Sequence, residues 1–359
     1  MKYLMKKQKK NICILSKDLV AGGAEKQALM LAKTLNEYHN IYVIVFKNII
    51  HHRNLRYIEE NNIPIKVLNG SLFFNLFALF KALKAYHTDV LISYLFKGNV
   101  LCGVIGFLAG VKVRIGGVRN AFLKPHKEIF ERVMHNHFNT YTIFNNLSGA
   151  ALYSRRKFNK EKIVVIPNCI ISPALIERKD DKIVEILTVG RFVPQKDYLT
   201  ALKSISLVVK KGINNIHYTI IGWGELKDTI RSWIVELQLE QYVSIVINPT
   251  NILDYYKRAT IYLSTSLFEG ISNTIMEAMS YSLPCVVTDV GDNSRLVKNE
   301  LNGFILKMKD ADGIADALQT LILNFDMRDA YGRNSYQIIS QEYSVERFTN
   351  EYLKIIDNA

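Results

Sequence analysis

Two glutamates eight positions apart, Glu269 and Glu277, frame the stretch Glu269-Gly270-Ile271-Ser272-Asn273-Thr274-Ile275-Met276-Glu277. The apolar run Ile261-Tyr262-Leu263-Ser264-Thr265-Ser266 precedes it, and Ile275, Met276, Ala278 and Met279 follow at helical spacing, so the segment reads as strand, loop and helix. A helix entered this way turns its unpaired backbone N–H groups and the positive end of its dipole toward the strand ends, where an α/β sheet holds anions. Phosphate is the expected guest. A carboxylate repels phosphate, so the glutamates would serve by accepting hydrogen bonds from hydroxyl groups attached to it, as on a ribose or a hexose. A nucleotide sugar combines all of these parts. For Glu277 a structural alternative stands beside this one, because Thr274 and Glu277 have the spacing of a capping box, worth about 0.5–2 kcal/mol. Glu269, a loop carboxylate beside glycine, has no such task.

Cations occur where an anion would need them. The segment Ile186-Leu187-Thr188-Val189-Gly190-Arg191 reads as a strand that delivers Arg191 to its carboxyl end, and Lys196 follows one short loop later, so both reach one anion. Gly222-Trp223-Gly224 follows another strand, at residues 217–221. Near the start, Gly22 and Gly23 lie between a first strand and an amphipathic helix, and such a pair lets backbone approach a ligand closely. Arg119 and Asn120 end a further strand. Asp310-Ala311-Asp312 imitates a metal-binding pattern but precedes a helix over 313–323, where aspartates act as caps, so no metal is expected. His135 and His137 are expected on the surface of a polar helix, not as metal ligands.

The elements that must position these residues alternate. Strand candidates at 11–16, 41–46, 63–68, 90–95, 111–118, 141–145 and 163–167 are mostly separated by helical segments, which argues for a parallel sheet covered on both faces. Periodicity lapses between Pro167 and Lys182, and a chain of 359 residues exceeds the size at which single cores stop growing. The expected organisation is a first domain over 1–170, a linker over 171–182, a second domain over 183–340 and a terminal helix over 341–359.

Charge is unevenly spread. Residues 1–170 hold 26 Lys plus Arg against 9 Asp plus Glu, and the remainder hold 20 against 24, so the whole excess of +13 lies in the first half. A basic half suits nucleic acid, an anionic membrane surface or an acidic substrate. The basic residues are not interleaved with aromatics in a nucleic-acid module, which leaves the membrane and the substrate. The longest uncharged apolar run, over 98–111, falls short of the roughly 20 residues that span a bilayer. Residues 71–86, SLFFNLFALFKALKAY, read as a helix that either packs on the sheet or dips its phenylalanines into lipid. Cys13, Cys102, Cys169 and Cys285 are scattered without metal-ligand spacing, which suits a reducing cytosol. The basic start has no cleavage pattern after it.

The run EGISNTIMEAMSYSLPCVVTDVGDNSRLVKNELNGFIL, from Glu269 to Leu306, resembles the signature of the retaining family 4 glycosyltransferases of GT-B fold. The resemblance implies two Rossmann-like domains whose parallel sheets face each other across a cleft, with the terminal helix packed back on the first domain. It implies that Glu269 faces the donor sugar, that Glu277 binds the ribose, that backbone amides of Asn273, Thr274 and Ile275 hold the diphosphate, and that Arg191 and Lys196 grip it. Gly22, Gly23 and Gly222 would line the donor site. Many members carry a sugar-contacting histidine where this chain has Arg119 and Asn120, and many have Pro-Asn-Gly where it has Pro167-Asn168-Cys169. The implied reaction moves a hexose or N-acetylhexosamine from a UDP-linked donor to a lipid-linked or envelope glycan, without cofactor or metal, at the cytoplasmic face of the membrane. The alternatives are a nucleotide-sugar epimerase of the same fold, which needs an acid–base pair not evident here, and a non-catalytic nucleotide-sugar-binding protein.

Overall fold

A computed structural model describes residues 8–20, 22–119 and 125–358. The chain forms two compact units, one of residues 1–169 with 345–359 and one of residues 170–344. In the first, strands β1 (Asn11–Ser16), β2 (Asn40–Val45), β3 (Ile65–Val67), β4 (Val90–Ser93), β5 (Val113–Val118), β6 (Tyr141–Phe144) and β7 (Ile163–Val165) form one sheet of order β3-β2-β1-β4-β5-β6-β7. Every neighbouring pair is parallel. Helices α1 (Gly23–Leu35), α2 (His52–Glu60), α3 (Leu72–Ala85), α4 (Leu95–Leu108), α5 (Pro125–Val133) and α6 (Leu147–Ser154) make the crossovers. Parallel strands need such crossovers, and helices on both faces explain why the strands read as nearly unbroken apolar runs.

The second unit repeats the plan. Strands β8 (Val184–Val189), β9 (Ile216–Gly222), β10 (Val243–Ile247), β11 (Ile261–Ser264), β12 (Cys285–Thr288) and β13 (Gly303–Leu306) form a sheet of order β10-β9-β8-β11-β12-β13. Helices α7 (Tyr198–Lys210), α8 (Lys227–Glu236), α9 (Ile252–Arg258), α10 (Asn273–Ser280), α11 (Asn293–Leu296), α12 (Ala311–Leu323) and α13 (Phe325–Glu342) accompany it. The last helix, α14 (Val345–Asn358), belongs to the first unit, where Phe348, Tyr352 and Ile356 join its core. Asp310 caps α12 by accepting the Gly313 N–H at 2.9 Å.

The boundaries differ from the sequence expectation for a physical reason. Residues 171–182 are not a free connector, because carbonyls left unpaired at helix ends recruit Arg178. Its guanidinium donates to Lys257 O at 2.6 Å, Tyr256 O at 3.2 Å and Tyr281 O at 2.6 Å, and Arg328 reaches Asp180 at 3.0 Å. At the other end α13 continues unbroken to Glu342, so the return begins at Val345 and not at 341.

All four cysteines are free and buried. His135 is also fully buried, against expectation, while His137 is exposed. A π-helical turn over Met134–Phe138 breaks the α-helical register after α5, and His135 turns inward to bond Asn159 O through Nε2 at 2.8 Å. Burial pushes its pKa down.

A buried polar knot lies under the end of β5. Asn99 of α4 holds Gly117 from both sides, donating to its carbonyl at 3.2 Å and accepting its N–H at 2.9 Å. The same amide nitrogen donates to Glu131 Oε1 at 2.6 Å. Glu131 is 1% exposed, and its Oε2 has no hydrogen-bond partner among the described residues. Burial pushes its pKa up to about 7, with the Asn99 bond pulling the other way. Between about pH 4.5 and 7 the unfolded chain has released this proton and the folded chain keeps it, so this group's contribution to stability is full below that window and is lost as pH rises through it. Denaturant unfolding across the window should show Glu131→Gln gaining on the wild type as pH rises, by roughly 3 kcal/mol at the upper end. Parallel curves for the two proteins would contradict the buried neutral carboxyl.

Candidate functional site

The order of the second sheet places β8 between β9 and β11, so consecutive crossovers leave β8 in opposite directions and the loops after β8 and β11 meet at a switch point. These loops are zipped together. Leu267 N–H donates to Gln195 O at 2.8 Å, the Gln195 amide donates to Phe268 O at 2.7 Å, and the Thr265 hydroxyl bridges the carbonyls of Lys196 and Asp197 at 3.0 and 2.9 Å. Asp197, at φ 47°, then turns the chain into α7, with its Oδ2 accepting the Thr200 hydroxyl at 2.7 Å. The consequence is an ion pair: Lys196 Nζ donates to Glu269 Oε1 at 2.5 Å, and the Ser266 hydroxyl donates to the same oxygen at 2.9 Å. The two charged side chains are 14% and 11% exposed, so each depends on the other for its lost hydration.

Three residues beyond Gly270, α10 begins. Ser272 is its N-cap and makes no side-chain cap bond, and no acidic residue stands in the first turn. Met276 N–H is the donor that closes onto Ser272 O, at 3.1 Å, so Asn273, Thr274 and Ile275 form the leading turn. The capping-box alternative therefore fails, because the helix starts before Thr274 and Glu277 sits beyond the positions a cap would use. Glu277 Oε2 instead accepts the hydroxyl of the buried Tyr256 at 3.1 Å.

The glutamate turn is braced from behind. Gly291 has φ +57°, and a Cβ there would lie 2.3 Å from Glu269 O and 2.6 Å from Gly270 O. Asp292 N–H donates to Gly270 O at 2.9 Å, and the Thr288 hydroxyl donates to Ser266 O at 2.6 Å. Gly222 is equally confined, since a Cβ would fall 1.8 Å from Gly190 O. The ends of β8 and β9 thus touch backbone to backbone beside Arg191, whose exposed side chain forms no ion pair among the described residues. Sequence reasoning missed Tyr256, Ser266, Thr288 and Asp292. For Gly291 the sequence signal is the glycine itself, the residue that a φ of +57° favours.

In the first unit Gly22 caps α1 with extended backbone and Gly23 opens that helix. The carboxylate of Glu25 folds over them, with Oε2 2.1 Å from where a Gly22 Cβ would be, so an anion at this helix start must displace it. Burial pushes the Glu25 pKa up, which favours the neutral form that would yield. Arg119 donates to Asn168 Oδ1 at 2.5 Å and stacks on Tyr94, its guanidinium carbon 4.6 Å from the ring centre. Its Nε and one terminal nitrogen are buried without hydrogen-bond partners among the described residues. Cys169 sits against Gln27, accepting the Gln27 amide at its carbonyl at 2.8 Å and donating its N–H to Gln27 Oε1 at 3.0 Å. Asn120 lies outside the described residues.

The second unit therefore combines a doubly wound sheet, a cation–carboxylate pair at its switch point and a helix start without a side-chain cap, features that α/β proteins use to hold phosphate. Residues 174–338 match the model of the family Glycosyl transferases group 1. The chain is 24% identical to a UDP-Gal:alpha-D-GlcNAc-diphosphoundecaprenol alpha-1,3-galactosyltransferase of Escherichia coli, over 79% of this chain and 80% of that protein. It is 23% identical to a GalNAc-alpha-(1->4)-GalNAc-alpha-(1->3)-diNAcBac-PP-undecaprenol alpha-1,4-N-acetyl-D-galactosaminyltransferase of Campylobacter jejuni, over 94% of this chain and 96% of that protein. Its fold is similar to that of Anabaena HepE, solved in complex with UDP, with a TM-score of 0.84, 17% identity and coverage of 97% of this chain and 100% of that one. The match with the glycosyl transferases group 1 thus spans most of the second unit, and the fold of the chain is GT-B.

Gly291→Ala should cost about 1–3 kcal/mol, because the new methyl meets two carbonyls in addition to the strained φ. Gly212→Ala supplies the control, since Gly212 shares a positive φ but has nothing within 4 Å of its Cβ. Equal losses for the two variants in denaturant unfolding would show that the brace behind Glu269 is not under packing constraint.

Proposed function

We propose that the protein is a family 4 glycosyltransferase that moves a hexose or N-acetylhexosamine from a UDP-linked donor to a hydroxyl of a lipid-linked or cell-envelope glycan, such as a capsule or O-antigen precursor. The anomeric configuration is retained and no metal or cofactor takes part. The observation that carries this reading is the Lys196–Glu269 contact of 2.5 Å beside the start of α10. It sets a cation, a carboxylate and helix N–H groups on neighbouring loops, the parts that a sugar diphosphate needs. Arg191 and Lys196 neutralise the charge that builds on the diphosphate as the bond to the sugar breaks, with the amides of Asn273, Thr274 and Ile275 adding dipoles already in place. Glu269 accepts from the sugar hydroxyls and Glu277 from the ribose. The acceptor oxygen bonds to the anomeric carbon on the face the diphosphate leaves, and its proton passes to the departing phosphate oxygen, so no protein nucleophile is required.

The names of the Escherichia coli and Campylobacter jejuni relatives, which carry undecaprenol-linked acceptors, support the choice of acceptor. The UDP bound to Anabaena HepE supports the donor. The excess of Lys and Arg in residues 1–170 supports a peripheral position of the enzyme on the anionic inner face of the cell membrane. In the described residues no helix is long and apolar enough to cross a membrane.

Screening UDP-sugars against lipid-linked acceptors, with the anomer of the product determined, tests the reading. An isomerised donor without transfer would replace it with an epimerase. In the same assay Glu277→Gln should raise the donor KM about tenfold with little change in kcat, and unchanged kinetics would remove Glu277 from the ribose. Arg191→Ala should lower kcat about a hundredfold while weakening UDP binding far less, and an effect confined to affinity would contradict its role in the bond-breaking step.

A further inference from the structure

Helix α3 commits only one side to the fold. Asn75, Leu79, Ala82 and Leu83 are buried against the sheet, whereas Leu72, Phe73, Phe74 and Phe77 are 61%, 82%, 73% and 56% exposed. On a helical wheel Phe73, Phe74, Phe77, Lys81 and Lys84 share an outward arc about 100° wide. The arc is aromatic toward the amino end of the helix and cationic toward its carboxyl end, with Lys81 Nζ 4.5 Å from the centre of the Phe77 ring. Of the two expectations for this segment, packing on the sheet accounts for the buried side of α3 alone, and the exposed arc is left without a partner in the fold.

Charge complementarity selects the occupant. Residues 61–119, which build α3, α4 and the strands beneath them, contain seven Lys or Arg and a single carboxylate, Asp89. That carboxylate is engaged, accepting the Asn11 N–H at 2.8 Å. A protein partner with an ordinary mixed surface gains little from so one-signed a field, whereas an anionic bilayer offers phosphate to the lysines and hydrocarbon to the rings.

We propose that α3 is the membrane-docking element of this protein, with Phe73, Phe74 and Phe77 entering the interfacial layer of an anionic bilayer and Lys81 and Lys84 meeting lipid headgroup phosphates. This rests on the membrane-facing part of the proposed function, but its test requires no sugar transfer. The purified full-length protein is floated with vesicles of pure phosphatidylglycerol or of pure phosphatidylcholine. The wild type should rise with the first and not with the second. Phe73→Ser/Phe74→Ser should weaken binding about tenfold or more, and Lys81→Gln/Lys84→Gln should weaken it and flatten its dependence on salt. Leu323→Ser, at a position 66% exposed in the second unit, should bind as the wild type does. Circular dichroism confirms that each variant is folded, as expected for exposed positions. The proposal is overturned if the phenylalanine variant binds undiminished, or if the wild type self-associates and that variant does not, which would make α3 a contact between copies. With a water-soluble acceptor the phenylalanine variant should match the wild type, and with a vesicle-embedded acceptor it should fall behind. A wild type inactive on both acceptors would remove the transferase reading and leave the docking result standing.

Discussion

The contact between Lys196 and Glu269 is the interaction on which the second unit's site depends. An ammonium and a carboxylate are each nearly withdrawn from water, and either one alone would be costly to hold there. Their pairing makes the arrangement tolerable before any ligand arrives. Under the proposed reaction a diphosphate replaces the carboxylate beside the ammonium, and Glu269 is released to the hydroxyls of the sugar carried on that diphosphate. One exchange of partners would then couple recognition of the leaving group to recognition of the group being moved.

That pair exists because of where the chain reverses in the sheet. Parallel strands joined through helices bring all their carboxyl ends to one edge, and the order β9-β8-β11 opens that edge beside β8. Glycines then permit the close approaches. Gly222 lets β9 touch the end of β8, and Gly291 lets the loop after β12 press on the carbonyls of Glu269 and Gly270. The first unit has the same plan but a different poise. Its corresponding helix start is covered by Glu25, and its strand-end arginine is drawn to Asn168 and Tyr94.

Much of this could be read from residue order alone. Each of the seven strands proposed for the first half lies where a strand forms, because a short, mainly apolar run flanked by helical periodicity has few other uses in an α/β chain. That Lys196, Glu269 and the start of α10 lie on loops after neighbouring strands was legible because each follows an apolar strand run and precedes a helical one. What could not be read depended on contacts across long sequence distances. Tyr256 lies 21 residues from Glu277, and Arg178 ties residues 171–182 to carbonyls 78, 79 and 103 positions away, so neither leaves a local pattern. His135 was misread because a single π turn shifts the register of an otherwise regular helix. The capping-box alternative could not be dismissed from spacing alone, because Thr274 lies only two residues beyond the true N-cap, Ser272.

The most direct measurement is a crystal structure of the protein with UDP. It should show diphosphate oxygens within hydrogen-bonding distance of Lys196 Nζ, of the Arg191 guanidinium and of the backbone amides at Asn273 to Ile275, with Glu277 on the ribose hydroxyls and Glu269 parted from Lys196. UDP bound elsewhere, with the Lys196–Glu269 pair intact, would contradict the role given to this site.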